Sequence, residues 1–181
     1  MSSSREIQTE RLRLEPQHPR SLLALIESTE RFEEVAGVRA APGLRDFLVS
    51  GEVSSDYLDA LRAAESADPW VHGFAAIHRD TGVMIGMGGY KGEPDAEGVA
   101  EIAYGVAPSY ESQGYATEIA AGLSRFASAD PRVRLLRAHT LPEKNASTQV
   151  LAKIGFAFVG QVVDPEDGPV WRWERGRFEE V

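Results

Sequence analysis

Apolar and polar positions alternate over residues 7–16, with Leu12 and Leu14 on one side and Pro16 closing the run, which predicts a strand. Over 19–29 the spacing changes. Leu22, Leu23, Leu25 and Ile26 recur at helical intervals and predict an amphipathic helix. Residues 31–67 keep a helical texture but break at Gly37, at Pro42-Gly43 and at Gly51; the clearest helix there is 55–67, with Leu58 and Leu61 on one face. From Trp70 the pattern turns strand-like. Residues 70–78 predict a strand, Asp80-Thr81-Gly82 a tight turn and 83–91 its hairpin partner. A third strand spans 99–106 and ends at Pro108. A helix at 116–128 places Ile119, Leu123 and Phe126 on one face, followed by a strand at 133–139, a helix at 146–154 and a strand at 156–163. A short last strand, 170–174, carries Trp171 and Trp173 on one face, both assigned to the core. The order predicts an α/β (α+β) fold with a mixed, mostly antiparallel central sheet and helices on both faces. No boundary interrupts it, so residues 1–181 read as a single domain.

Composition narrows the function. Hydrophobic residues make up 43% and charged residues 26% of 181, a mixture that argues against a wholly disordered chain. The 19 Lys and Arg against 28 Asp and Glu give a net charge of −9, opposite in sign to a general nucleic-acid binder, and no nucleic-acid partner is expected. Absence of cysteine removes disulfides, thiolate nucleophiles and Cys-based zinc sites, and favours a reducing compartment. No apolar run approaches the ~20 residues of a membrane span. The opening residues 1–6 contain no hydrophobic signal region, so a cytoplasmic location without a membrane partner is expected.

The chemically informative stretch is 104–118. A strand ends at Val106-Ala107-Pro108, a short loop holds Gln113-Gly114-Tyr115-Ala116, and a helix follows at once. A helix N-terminus leaves backbone N–H groups unpaired and carries about half a positive charge, so this junction suits an anion such as pyrophosphate. An ordinary strand–loop–helix connection with a turn glycine is the other reading. Competing nucleotide motifs fail: Gly114 is not followed by the Lys-Ser/Thr of a P-loop, and Gly86, Gly88 and Gly89 lie in a strand and open no helix.

Gln113-Gly114-Tyr115-Ala116-Thr117-Glu118 resembles the acetyl-CoA loop of the GNAT superfamily of N-acetyltransferases. Thr9-Glu10-Arg11-Leu12-Arg13-Leu14 looks like the first strand of its ribosomal-protein N-terminal acetyltransferase-like branch. Residues 139–147, followed by Val150-Leu151-Ala152-Lys153-Ile154-Gly155-Phe156, are similar to that branch's second cofactor motif, and Gly168-Pro169-Val170-Trp171 resembles its terminal strand. The resemblance implies a GNAT-like sheet and acetyl-CoA as co-substrate. It also implies that Val106 and Ala107 present backbone groups to the pantetheine arm, that Ser112, Gln113, Gly114, Tyr115 and Ala116 offer amides to the pyrophosphate, that Asn145 holds the pantetheine and that Ser147 sits near the thiol sulfur. Three positions depart from the pattern. Glu111 stands where relatives carry Gln or Arg, Asn145 is two rather than three residues before Ser147, and Leu151 occupies the place of the usual tyrosine acid.

Glu101 lies mid-strand, and alternation puts it with Ala103 and Gly105 opposite Ile102, Tyr104 and Val106. It is the candidate to take a proton from an ammonium acceptor, with His139 as a second candidate base and a solvent-facing glutamate as the bland reading. Tyr104 reads as a core aromatic. His72 and His78, read on one strand face, lie too far apart to share an ion, and no metal is expected. Arg132, Arg134 and Arg137 read as a solvated edge or as phosphate contacts. The segment 31–67, expected to build the acceptor pocket, holds Glu33, Glu34, Asp46, Glu52, Asp56, Asp59 and Glu65 against Arg31, Arg39, Arg45 and Arg62. If those acids face the pocket, the acceptor is a cationic amine; otherwise they are solvated helix faces. The expectation is an N-acetyltransferase moving an acetyl group to a small-molecule or peptide amine by direct attack, as a monomer or homodimer. The other reading is a non-catalytic acyl-CoA-binding or regulatory module on the same fold.

Overall fold

The computed structural model describes residues 5–51 and 53–177; residues 1–4, within the segment read for a missing signal region, and Glu52 of the acidic segment lie outside the described residues. The alternating run at the start is a hairpin rather than one strand, β1 (Ile7–Gln8) and β2 (Leu12–Pro16). Thr9 makes the turn: its N–H donates to Leu12 O at 2.9 Å, and its hydroxyl accepts from Leu12 N–H at 3.0 Å. Helix α1 (Pro19–Glu27) stops at Ser28, whose side chain caps α2 (Thr29–Ala36), and Gly37 ends α2 in the left-handed conformation. A short α3 (Asp46–Val49) and α4 (Ser55–Ala63) follow.

The expected strand over 70–78 is corrected at its front. Pro69–His72 form a helical turn, α5, because the Asp68 side chain accepts from Trp70 N–H and Pro69 presets the helical φ. Gly73, at φ 70°, turns the chain into β3 (Phe74–His78). His72 therefore stands outside the strand that carries His78. The remaining elements are β4 (Met84–Tyr90), β5 (Val99–Val106), α6 (Tyr115–Ala129), β6 (Leu135–Thr140), α7 (Ala146–Lys153), β7 (Ala157–Asp164) and β8 (Gly168–Gly176).

The eight strands form a sheet in the order β1-β2-β3-β4-β5-β6-β8-β7, antiparallel except for the β5–β6 pair. Strand alternation sends Phe74, Ala76 and Ile102 to a core beneath α6 and α7, and Ala75, Ile77 and Met87 to a second core beneath the helices of the first half. Trp173 is buried in the first core and Trp171 packs partly buried against it. Helix α6 lies close on β4. A Cβ at Gly88 would stand 2.8 Å from both Ile119 and Leu123.

The feature that positions the site is a divergence. β5 and β6 pair only at Val99–Leu135, Ala100–Leu136 and Glu101–Arg137. Beyond Glu101 the two parallel strands separate, and the gap opens toward the N-terminus of α6.

Candidate active site

A cleft of about 620 Å³ occupies the divergence. Tyr104, Gly105 and Val106 of β5 form one wall, the loop before α6 its end, and Ala146, Ser147, Val150 and Lys153 of α7 the other wall. The backbone supplies the polar groups on the β5 side. Ala107 N–H donates to Ile85 O, so Val106 and Gly86 are a non-hydrogen-bonded antiparallel pair. The N–H and C=O of Val106 consequently face away from β4, into the gap. Ala107 itself is spent: its N–H goes to Ile85 O, its C=O accepts from Tyr110 N–H, and its side chain is buried. Of the two residues expected to offer backbone groups, Val106 alone retains them.

The loop turns on two left-handed residues. Ser112 adopts φ 60°, a left-handed conformation costing a non-glycine residue about 1–2 kcal/mol, and Gly114 follows at φ 85°. Gly114 caps α6 without a side-chain hydrogen bond, which leaves the first-turn amides open. Ser112, Gly114, Tyr115, Ala116 and the unanticipated Thr117 line the cleft. Gln113 is absent from the lining, and its side chain donates to Ser109 O. Glu111 does line the cleft, where its carboxylate cannot donate, and Lys153 is the cation on the facing wall. Lys153 falls on one helical face with Ala146 and Val150, a spacing legible in the sequence.

Arg11 braces the loop from outside the cleft. Its Nε donates to Glu118 Oε2 at 2.6 Å, its N–H donates to Glu118 Oε1, and its guanidinium lies 4.0 Å over the Tyr115 ring. Burial raises the Glu118 pKa, but hydrogen bonds from Arg11 and Thr9 and the Arg11 charge outweigh it and hold the carboxyl below its ordinary value.

Asn145 serves α7 rather than the cleft. Its side-chain oxygen accepts from Thr148 N–H at 3.0 Å while Thr148 Oγ1 accepts from Asn145 N–H, a reciprocal cap. Asn145 does not line the cleft; Ser147 does.

A second cavity, about 280 Å³, opens on the opposite side of β5, and the two share Phe47, Tyr104 and Gly105. A Cβ on Gly105 would stand 2.9 Å from the Phe47 ring, so glycine lets α3 close over this junction. Phe47 has no sequence signal, since it belongs to the segment with the weakest pattern. The Tyr104 hydroxyl is buried at the junction without a well-formed hydrogen bond; burial pushes its pKa up to about 12, against a smaller lowering by the Ser147 hydroxyl.

Glu101 lines neither cavity. Its Oε1 meets His139 Nδ1 at 2.7 Å and Lys91 Nζ at 3.5 Å, and Arg172 Nε donates to His139 Nε2. The two candidate bases are thus joined to each other. Arg132 pairs with Asp130 and Arg137 with Glu174, and none of Arg132, Arg134 and Arg137 lines the cleft. Among the described residues no cluster of three His, Asp or Glu fits a metal, and no helix is long and apolar enough to cross a membrane.

Parallel strands that part beside a helix N-terminus leave an elongated cleft with a positive helix end at its foot. The comparisons agree with that geometry. A family model described as an acetyltransferase (GNAT) domain matches residues 11–157. The chain belongs to this family, the GNAT acetyltransferases. An uncharacterized N-acetyltransferase of Bacillus subtilis (strain 168), YjdG, is 26% identical over 117 residues, 65% of this chain. The match spans 61% of that relative's length. Among solved structures, a GNAT-family acetyltransferase from Bacillus anthracis superposes with a TM-score of 0.65 at 19% identity, covering 96% of this chain and 99% of that one. A ribosomal-protein-S5-alanine acetyltransferase from Vibrio fischeri gives 0.65 at 13% identity, covering 97% and 98%. At these identities the likeness is one of fold.

Proposed function

We propose that the protein is an acetyl-CoA-dependent N-acetyltransferase that moves an acetyl group to a primary amine by direct attack, with residues 1–181 as one domain working in the cytoplasm. The observation that carries this reading is the β5–β6 gap running into the left-handed loop at α6. Val106 offers the arm of the co-substrate an edge C=O, keeping its N–H for the acyl oxygen, and the amides from Ser112 to Ala116 offer its phosphates a positive helix end. Bound there, acetyl-CoA supplies a thioester carbonyl carbon to the amine and a sulfur leaving group.

The chain's own residues do the rest. The second cavity holds the amine, and the junction at Tyr104 and Gly105 is where nucleophile and acyl carbon meet, so catalysis is largely positioning. Val106 N–H is the donor for charge developing on the acyl oxygen. The Tyr104 phenol, with its pKa pushed up to about 12, stays protonated at neutral pH and stands beside Ser147 where a leaving sulfur needs a proton. The role of Glu101 in taking the ammonium proton is retained as a relay through water, because neither cavity reaches its carboxylate.

Acetyl-CoA at one hundred times its dissociation constant should stabilise the fold by about 2.7 kcal/mol, read as a rise in Tm. Thr117→Glu should abolish that rise while leaving the free protein folded, since Thr117 belongs to neither core and a carboxylate in the first turn suits the helix but repels phosphate. Loss of the rise in the parent protein, or its survival in the variant, overturns the reading.

A further inference from the structure

The second cavity specifies what kind of amine enters, given the transfer proposed above. Its walls are Leu22, Leu48, Val71 and Met87, with the Tyr57 and Tyr90 rings, the Phe47–Tyr104 junction and one neutral amide, Gln17, whose Nε2 donates to Phe74 O. Among the described residues, none lining it is Asp, Glu, Lys or Arg. The titratable imidazole there, His72, is 9% exposed and its pKa is lowered, chiefly by burial, so it is neutral. Its Nδ1 accepts from Asp68 N–H at 3.0 Å, which puts the proton on Nε2 and makes His72 a hydrogen-bond donor rather than a base. Three acids of the segment 31–67 are engaged elsewhere: Glu33 accepts from Ala40 N–H, Glu34 pairs with Arg31, and Asp59 pairs with Arg62. None of the segment's described acids lines the cavity.

We propose that this cavity takes a primary amine carried on a neutral, mainly apolar or aromatic group, with the nitrogen at Tyr104 and Gly105 and the apolar group among Leu22, Leu48 and Val71. The physical reason is desolvation. An ammonium entering an uncharged cavity loses hydration and gains no carboxylate, so its pKa falls and the free amine, the nucleophilic form, is favoured. The cavity itself thereby does part of the work of a base in contact with the nitrogen. A second ammonium on the same ligand bears the same desolvation cost with no return, so a polycation is rejected. The chemistry fits a small arylalkylamine and equally a polypeptide N-terminus whose first side chain is apolar.

The test compares 2-phenylethylamine with 1,4-diaminobutane, and a short peptide beginning with Phe with one beginning with Lys. Freed thiol gives kcat/KM, and Tm with each amine alone gives binding without the co-substrate. The aromatic member should be preferred by at least about 100-fold within one or both pairs, and should alone raise Tm. The pair showing the larger kcat/KM tells the small-molecule source from the polypeptide one. Val71→Glu, at a position 56% exposed and therefore tolerant, should narrow the preference at least tenfold by giving a second cation a partner. Equal or better use of diaminobutane and the Lys peptide overturns the proposal, as does a Val71→Glu ratio equal to the parent's. A rise in Tm with 2-phenylethylamine or the Phe peptide but none with acetyl-CoA would sink the proposed transfer and leave the cavity's chemistry standing; a rise with acetyl-CoA but with neither aromatic amine would sink the cavity's chemistry alone.

Discussion

Tyr104 belongs to both cavities, and its strand pattern alone makes it a core aromatic. Alternation does place it on the buried side of β5 with Ile102 and Val106. The packing leaves its hydroxyl without a well-formed partner, which a core tyrosine normally finds. Replacing it therefore separates structure from function. Tyr104→Phe should leave stability at pH 7 unchanged or slightly higher, because an unsatisfied buried hydroxyl costs about 1–3 kcal/mol. It should lower turnover by roughly 10²-fold if the phenol protonates the leaving sulfur. The linkage has a definite sign. A pKa raised from 10.0 to about 12 contributes stability that is complete below pH 10 and is lost as pH rises through 12. Urea unfolding at pH 8 and at pH 11 should show the parent losing more stability than the variant, by on the order of 1–2 kcal/mol. Full turnover in the variant would remove Tyr104 from the chemistry. Asn145 shows the opposite outcome, since the amide expected on the pantetheine is the N-cap of α7, one residue nearer Ser147 than the family spacing.

The turn between β1 and β2 is tied to the first turn of α6 through one carboxylate. Glu118 accepts from Thr9 Oγ1, Arg11 N–H and Arg11 Nε, and only 15% of its side chain is exposed. Because its pKa is held below the ordinary 4.5, the tie contributes stability above that pH and loses it as pH falls through the folded value. Glu118→Gln should destabilise the protein by about 1–3 kcal/mol at pH 7, with the difference shrinking toward pH 3.5, as read from urea midpoints at the two pH values. The same tie fixes Arg11 beside the loop: a Cβ on Gly114 would meet Arg11 Nη2 at 3.1 Å. Local pattern cannot show such a contact, because the partners lie 107 residues apart. Local signals also mislead at α5, where the apolar run from Trp70 into β3 looks continuous until Asp68 and Pro69 are read as a helix start.

The sheet's topology places the chemistry. Inserting β6 parallel to β5 opens the gap, and α6 crosses from the end of one strand to the start of the other. Two cavities then flank β5 and meet at Tyr104 and Gly105. Glu101 sits where the strands are still paired, before the gap opens, so its carboxylate reaches neither cavity. Glu101→Gln should therefore lower turnover by less than about tenfold, short of the 10²–10⁴ expected for a base in contact with the reacting nitrogen. The kcat pH profile on the preferred amine checks this. A loss of 10²-fold with a displaced acidic limb would put Glu101 in direct contact with the proton. Along the same face, the Glu101–His139–Arg172 chain links β5, β6 and β8.

Several features followed from the sequence because their causes are local. The third strand over 99–106 coincides with β5, and the helix after Gly114 follows from a glycine cap and an apolar face at i, i+4, i+7. The geometry of the loop before α6 is legible for the same reason, since a left-handed glycine and a helix start are neighbours along the chain. The second cavity was not legible. Its walls come from α1, α3, α4, α5, β4 and β5, so whether an acid in the segment 31–67 faces the cavity or a neighbouring arginine depends on how separate helices dock. The free edge of Val106 and the unpartnered phenol of Tyr104 were likewise decided only by tertiary structure. Hydrogen bonds across a sheet and the burial of a hydroxyl are set by partners distant in sequence, and no periodicity within one strand records them.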